Sequence, residues 1–230
     1  MIASAELPKT AQPSIGRFVE VYDELGKNGN SVISIQMMRS ISGTVDAARQ
    51  AADITETNVT VVDSDFTSRS MGMIVKEAAK AAQEGKTVEE ILEIVEDAKK
   101  RTTLYLTVVN LDNLIKGGRI SQVMGMFSNL LNIKLFLQVI NGKIEIIQKG
   151  RGLKSLQKKY DEIFEQMKAA PNGIQEIGIM HAGLSDFNEG NIARVRELFP
   201  DVPLTIVTTS PIIMSHTGVD AMAITYLENK

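Results

Sequence analysis

KLFLQVINGKIEIIQK, residues 134–149, sets two apolar runs on either side of Asn141-Gly142. Asn-Gly between such runs is the strongest short-range signal for a tight hairpin, because both residues accept positive φ. The hairpin makes an antiparallel pair. The first hundred residues instead alternate strand with helix, a pattern that builds parallel sheets through right-handed crossovers. The chain therefore reads as an α/β protein of two domains, with a boundary near residue 101. Residues 1–101 form a domain with a parallel sheet between helices, and residues 102–230 form a domain with a mixed sheet covered by helices.

Before the hairpin, TLYLTVV (103–109) reads as a strand, and LDNLIK (111–116) as a short helix stopped by Gly117-Gly118. After it, LKSLQKKYDEIFEQM (153–167) carries Leu153, Leu156, Tyr160, Ile163, Phe164 and Met167 on one helical side. EIGIMH, LTIVTT and DAMAITYL are strands, with helix GNIARVRELF (190–199) among them. In the first domain Ser14 precedes IGRFVEVYDEL (15–25), where it suits an N-cap, and SVISI and NVTVVD are strands flanking the alanine-rich helix GTVDAARQAAD. A helix over about 70–84 stops at Gly85, and TVEE (87–90) is a capping box opening ILEIVEDAKK.

The chain has 230 residues, 43% of them hydrophobic, enough for two modest cores. A formal charge of −3 provides no field that calls for nucleic acid or an anionic membrane. Aromatics at 5%, with no Trp, argue against base-stacking platforms. Absence of Cys removes disulfides, thiolate nucleophiles and thiolate metal ligands, and two His leave little for a zinc site. No apolar run approaches the ~18 residues of a membrane span, and no basic start precedes an apolar core as in a signal peptide. The expected location is the cytoplasm, with no integral membrane segment. Nucleotide and zincin motifs are absent, as is the nucleophile elbow.

Polar clusters fall at strand ends and helix starts, where open α/β sheets bind ligands. They are KTAQPS (9–14), RSISGT (39–44), DSDFTSRSMG (63–72), LIKGGRIS (114–121) and SHTG (215–218). Hydroxyls, backbone amides and one histidine suit a carboxylate or phosphate, since they donate hydrogen bonds without burying a fixed charge. Each cluster also has a plainer role open to it. Thr10 and Ser14 serve equally as helix caps, SGT as an ordinary strand-to-helix turn, and Asp63 with Ser64 as an Asx turn. His216 lies between hydroxyl residues in what reads as a loop, while His181 merely ends a strand. The stretch VMGMFSNLLNIKLFL (123–137) suits either an acyl-chain lining or simple core.

Taken in series, PKTAQPS, ISGT, VVDS with SMG, LDNLIKGGRIS, LLNIK, NGKI with KGR, and HTG resemble the DegV family. Its characterised bacterial members are the fatty-acid-binding subunits of fatty acid kinase. The resemblance spans nearly the whole chain. It implies two α/β domains holding a long-chain fatty acid between them, with the acyl carboxylate bound by Thr10, Ser42 and His216. It implies that Arg119 serves the ATP-binding kinase subunit as the acid is phosphorylated to an acyl phosphate. On that reading the chain is a lipid-binding substrate carrier rather than an enzyme, and the fatty acid is its ligand, with no cofactor.

The chain departs from the family pattern at several points. Ala11 replaces a serine beside the carboxylate, Met38 and Arg39 replace two serines before SGT, and Leu135 replaces a proline. Val219-Asp220 replaces Pro-Gly after HTG, which sets an acid near a proposed carboxylate site. The family's first βα segment is also missing from the pattern. Two other functions compete: a hydrolase or transferase of small carboxylates or phosphates using Ser42 and His216 with Asp63, and a degenerate relative that no longer binds lipid.

Overall fold

The computed structural model describes residues 7–118 and 133–230, which cluster into two compact units. The described residues of Met1–Thr10, Arg101–Ile140 and Ile144–Lys230 form one, and Ala11–Lys100 with Asn141–Lys143 form the other.

The second of these opens on α1 (Ile15–Leu25), N-capped by Ser14, whose hydroxyl accepts from the Arg17 N–H at 3.3 Å. β1 (Val32–Gln36) and β2 (Val59–Asp63) pair in parallel in register from Val32↔Val59 to Gln36↔Asp63. The crossover between them is α2 (Thr44–Ala52), whose buried Ala47, Ala48 and Ala51 lack the bulk that would hold it off the sheet. α3 (Ser68–Gln83) follows, then α4 (Val88–Arg101). Thr87 and Glu90 make the expected capping box: the Thr87 N–H donates to the Glu90 carboxylate at 2.8 Å, and the Glu90 N–H donates to the Thr87 hydroxyl at 3.3 Å. Ile91, Val95 and Ala98 then recur at helical spacing on the buried side.

The other unit contains β3 (Thr102–Val108), α5 (Asp112–Lys116), β4 (Ile133–Ile140), β5 (Lys143–Arg151), α6 (Leu153–Lys168) and β6 (Ile174–His181). It continues with α7 (Asp186–Leu198), β7 (Leu204–Thr208), α8 (Pro211–Thr217) and β8 (Met222–Glu228). Its six strands lie in the order β5-β4-β3-β8-β6-β7. β3 pairs antiparallel with β4 and β8, β6 antiparallel with β8 and parallel with β7, so the sheet is mixed as the Asn-Gly hairpin requires. Asn141 and Gly142 adopt φ of 48° and 68°, the left-handed pair that a tight turn needs.

α6 supplies the centre of this unit's core. Tyr160, Ile163, Phe164 and Met167 meet Phe136 from β4, Ile177 and Ile179 from β6, and Ile224 from β8. Phe136 sits edge-on to Tyr160, with ring centroids 4.9 Å apart. The Tyr160 phenol is enclosed and bonds the Thr107 hydroxyl at 3.1 Å; burial pushes its pKa well above the usual phenol range. Leu153, expected on the apolar side, is 43% exposed because it opens the helix before the first turn reaches the core. α7 starts four residues before the Gly190 expected: Ser185 occupies the N-cap position, and Asp186 and Glu189 favour a first turn there.

Phe136→Ala should lower stability by about 3–5 kcal/mol, since it opens a cavity in a fully packed core. Leu153→Ala should cost no more than about 0.5 kcal/mol. Urea denaturation followed by circular dichroism measures both, and equal costs would contradict the core described.

Candidate functional site

His216 lies in the last turn of α8, a helix, where the sequence pattern suggested a loop. Ser210 caps α8, accepting from the Ile213 N–H at 3.4 Å, and Pro211 takes the first helical position, where its missing N–H costs nothing. The helix ends on Gly218 at φ 78°, whose N–H returns to the Met214 carbonyl at 2.9 Å. The hydroxyls flanking the histidine are spent inside the helix. Ser215 donates to the Ile212 carbonyl at 2.7 Å and Thr217 to the Ile213 carbonyl at 3.1 Å. The SHTG cluster thus presents the imidazole alone.

That imidazole meets Thr10. Thr10 Oγ1 lies 3.0 Å from His216 Nε2, across 206 residues of sequence, and both side chains are half-buried. An imidazole with its proton on Nε2 donates to the threonine, which frees the threonine O–H to donate onward. With the proton on Nδ1 the direction reverses. Either way, two polar groups that can serve an anion stand side by side.

Two features position the ring. Asn113 on α5 donates through Nδ2 to the Ser215 carbonyl at 3.2 Å and to the Met214 carbonyl at 3.4 Å, tying α5 to the end of α8. Gly117 lies directly against the ring: a Cβ there would overlap His216 Nδ1 and stand 2.8 Å from the Asn113 carbonyl. In the sequence Gly117 signals only a helix stop, and Asn113 carries no signal of its own. Their work depends on a neighbour about a hundred residues away.

Ser42 belongs to the other unit, half-buried in the turn before α2. Its hydroxyl lies 2.8 Å from Thr44 Oγ1 and accepts the Thr44 N–H at 3.3 Å, a local Ser turn into the helix. In the same unit the Gln12 carboxamide lies on Gly43, where any Cβ would overlap it. Asp63 uses both carboxylate oxygens on backbone: Oδ2 accepts the Arg39 N–H at 3.2 Å and Oδ1 the Asp65 N–H at 3.0 Å, the Asx turn. Arg119 lies outside the described residues.

The departures from the family pattern have definite positions. Met38 and Leu135 are fully buried core residues. Arg39 is exposed and pairs with Asp46 at 2.9 Å. Asp220, at φ 61°, lays its carboxylate on Gly183, where a Cβ would stand 2.7 Å from Oδ1, and its N–H bonds the Ala182 carbonyl. Among the described residues, no group of three His, Asp or Glu side chains is arranged to hold a metal ion, and no helix is long and apolar enough to cross a membrane.

Comparison with known proteins places these residues in a wider set. The profile of the DegV family, described as uncharacterised proteins, matches residues 1–229. A DegV domain-containing protein of Streptococcus pneumoniae is 42% identical over 224 residues, 97% of this chain and 79% of the relative. Among solved structures, DegV from Bacillus subtilis, a fatty acid binding protein, superposes with a TM-score of 0.86 at 28% identity, covering 97% of this chain and 80% of that one. A DegV family protein from Thermus thermophilus, whose structure describes fatty acid binding, has a TM-score of 0.81 at 29% identity, covering 96% and 79%.

Gly117→Ala should push the His216 ring off Thr10. The chain has two histidines, so the imidazole NMR signals resolve the effect: those of His216 should move while those of His181 stay. Unchanged His216 signals would mean that Gly117 does not position the ring.

Proposed function

The chain belongs to the DegV family, and from that premise we propose that it binds a long-chain fatty acid with the acyl carboxylate at Thr10, Ser42 and His216. The observation that carries the reading is the Thr10–His216 pair at 3.0 Å, a hydroxyl and an imidazole brought together from opposite ends of the chain. Fatty acid binding by the Bacillus subtilis and Thermus thermophilus relatives supports it.

The chemistry of the ligand matches the chemistry of the pair. A carboxylate entering a half-buried site must exchange water for other donors, or its desolvation is uncompensated. Thr10 supplies an O–H, His216 an N–H that acts directly or through the threonine, and Ser42 a second hydroxyl. Hydrogen bonds to a charged group are each worth about 1.5–3 kcal/mol. The larger share of affinity comes from the tail, at about 0.8 kcal/mol per buried CH₂.

In this reading the protein acts as a carrier for a separate ATP-binding kinase subunit. A carboxylate oxygen attacks the γ-phosphorus of the partner's nucleotide, the bridging P–O bond to the β-phosphate breaks, and an acyl phosphate forms. Arg119, following two glycines, supplies positive charge for the transferring phosphoryl group. Location in the cytoplasm, where the nucleotide is, belongs to the same proposal.

His216→Ala and Thr10→Val should each weaken oleate binding about 10- to 100-fold, the equivalent of one charge-assisted hydrogen bond. Titration calorimetry on delipidated protein measures this, and unchanged affinity in both variants would remove the carboxylate from this pair. Arg119→Ala should leave oleate affinity unchanged and abolish acyl phosphate formation with a DegV-partnered kinase subunit. Retention of acyl phosphate formation would remove Arg119 from the transfer.

A further inference from the structure

Thr217, Gly218 and Val219 separate His216 from Asp220, and across that span the chain turns from α8 toward β8. Gly218 at φ 78° and Asp220 at φ 61° make the turn with two left-handed residues. Glycine takes that conformation freely, whereas an aspartate keeps it only where its surroundings hold it. Val219, between them, is 41% exposed and gives the span no apolar anchor.

Polar contacts hold Asp220 instead. Its N–H donates to the Ala182 carbonyl at 3.3 Å, and the Ala182 N–H donates to the Ala221 carbonyl at 2.8 Å, which carries the β6–β8 pairing past the strand ends. The Asp220 carbonyl accepts from Asn188 Nδ2 at 3.2 Å, and the same NH₂ group donates to the Gly183 carbonyl at 2.9 Å. Asn188 lies in the first turn of α7 and is fully enclosed. With two carbonyls facing it, only the NH₂ side of the carboxamide can point there, and both of its N–H bonds are used. Aspartate at this position would offer only acceptors, and leucine neither donor nor acceptor.

Asn113 on α5 does the same from the other side, through the Met214 and Ser215 carbonyls. Two carboxamides, on α5 and on α7, therefore spend their N–H groups on backbone carbonyls just before and just after His216. The imidazole sits between these two clamps. All of these residues lie in the same unit as Thr10, so the clamps and the pair they flank belong to one compact body.

We propose, on the reading of Thr10 and His216 as the head-group pair, that Asn188 is a positioning residue for His216: through the Asp220 carbonyl it fixes the exit of α8 and keeps the imidazole on Thr10 and on the ligand's carboxylate. Asn188→Leu keeps the size of the side chain and removes both donors. In the delipidated full chain, titration calorimetry should show oleate bound about tenfold more weakly, the scale of one hydrogen bond to a charged group. In a His216→Ala background the same substitution should cost less than about twofold, because its effect passes through the imidazole. The nuclear Overhauser contact between the His216 ring and the Thr10 methyl should be present in the unsubstituted chain and lost in Asn188→Leu.

Asp220→Val and Asp220→Gly test the same link without disturbing α7. Both remove the carboxylate, but a β-branched residue does not hold φ near 61° and glycine does. Valine should therefore weaken oleate about fivefold more than glycine. Equal weakening by Asn188→Leu in both backgrounds, a retained ring–methyl contact, or equal effects of the two Asp220 variants would each overturn the proposal. An unsubstituted chain that takes up no oleate, or whose affinity ignores His216→Ala, overturns the head-group reading instead, and the ring–methyl contact then still decides whether Asn188 positions the ring.

Discussion

His216 meets Thr10 from a seven-residue helix that is capped at both ends. Ser210 and Pro211 fix where α8 begins, and Gly218 in the left-handed region fixes where it stops. Asn113 clamps the carbonyls of its last turn, and Gly117 leaves room for a ring where any side chain would collide with it. With the neighbouring hydroxyls of Ser215 and Thr217 turned back onto the helix, the imidazole is left as the polar group that α8 can offer. A loop carrying the same four residues would scatter it. Placement of this ring is the constraint on which the rest of the site depends.

The division of labour that follows is physical. For the proposed ligand, a sixteen-carbon tail, fully buried, would contribute on the order of 10 kcal/mol, far more than the head group. On the proposed reading affinity is a matter of apolar volume, and the Thr10–His216 pair would decide which end of the ligand is held. On the same reading the hydroxyl absent at Ala11 would cost one hydrogen bond, small against the tail. The Asp220 carboxylate lies against Gly183.

Much of the fold was legible in local chemistry. Asn141-Gly142 announced the hairpin, Thr87 and Glu90 the reciprocal cap, Ser14 the start of α1, and the alanines of α2 a helix lying close on its sheet. Each is decided by residues within a few positions of one another. What was not legible depends on distant partners. The helical state of Pro211–Thr217 is stabilised by Asn113, a hundred residues away, and a sequence of Ser, His, Thr and Gly reads as a loop without it. Leu153 was placed on the apolar side by periodicity, but the helix begins there and its first residue has not yet turned inward. Of the site residues, Thr10 and His216 meet, whereas the Ser42 hydroxyl is engaged in its own turn.

The most direct measurement is NMR of the delipidated protein loaded with palmitate carrying ¹³C at the carboxyl carbon. One bound carboxylate resonance, ionised at neutral pH, with magnetisation transfer to the His216 ring protons and none to those of His181, is the predicted result. Loss of that transfer in His216→Ala, with the tail still bound, would complete it. A bound carboxylate whose resonance ignores His216, or a protein that takes up no palmitate, would contradict the account.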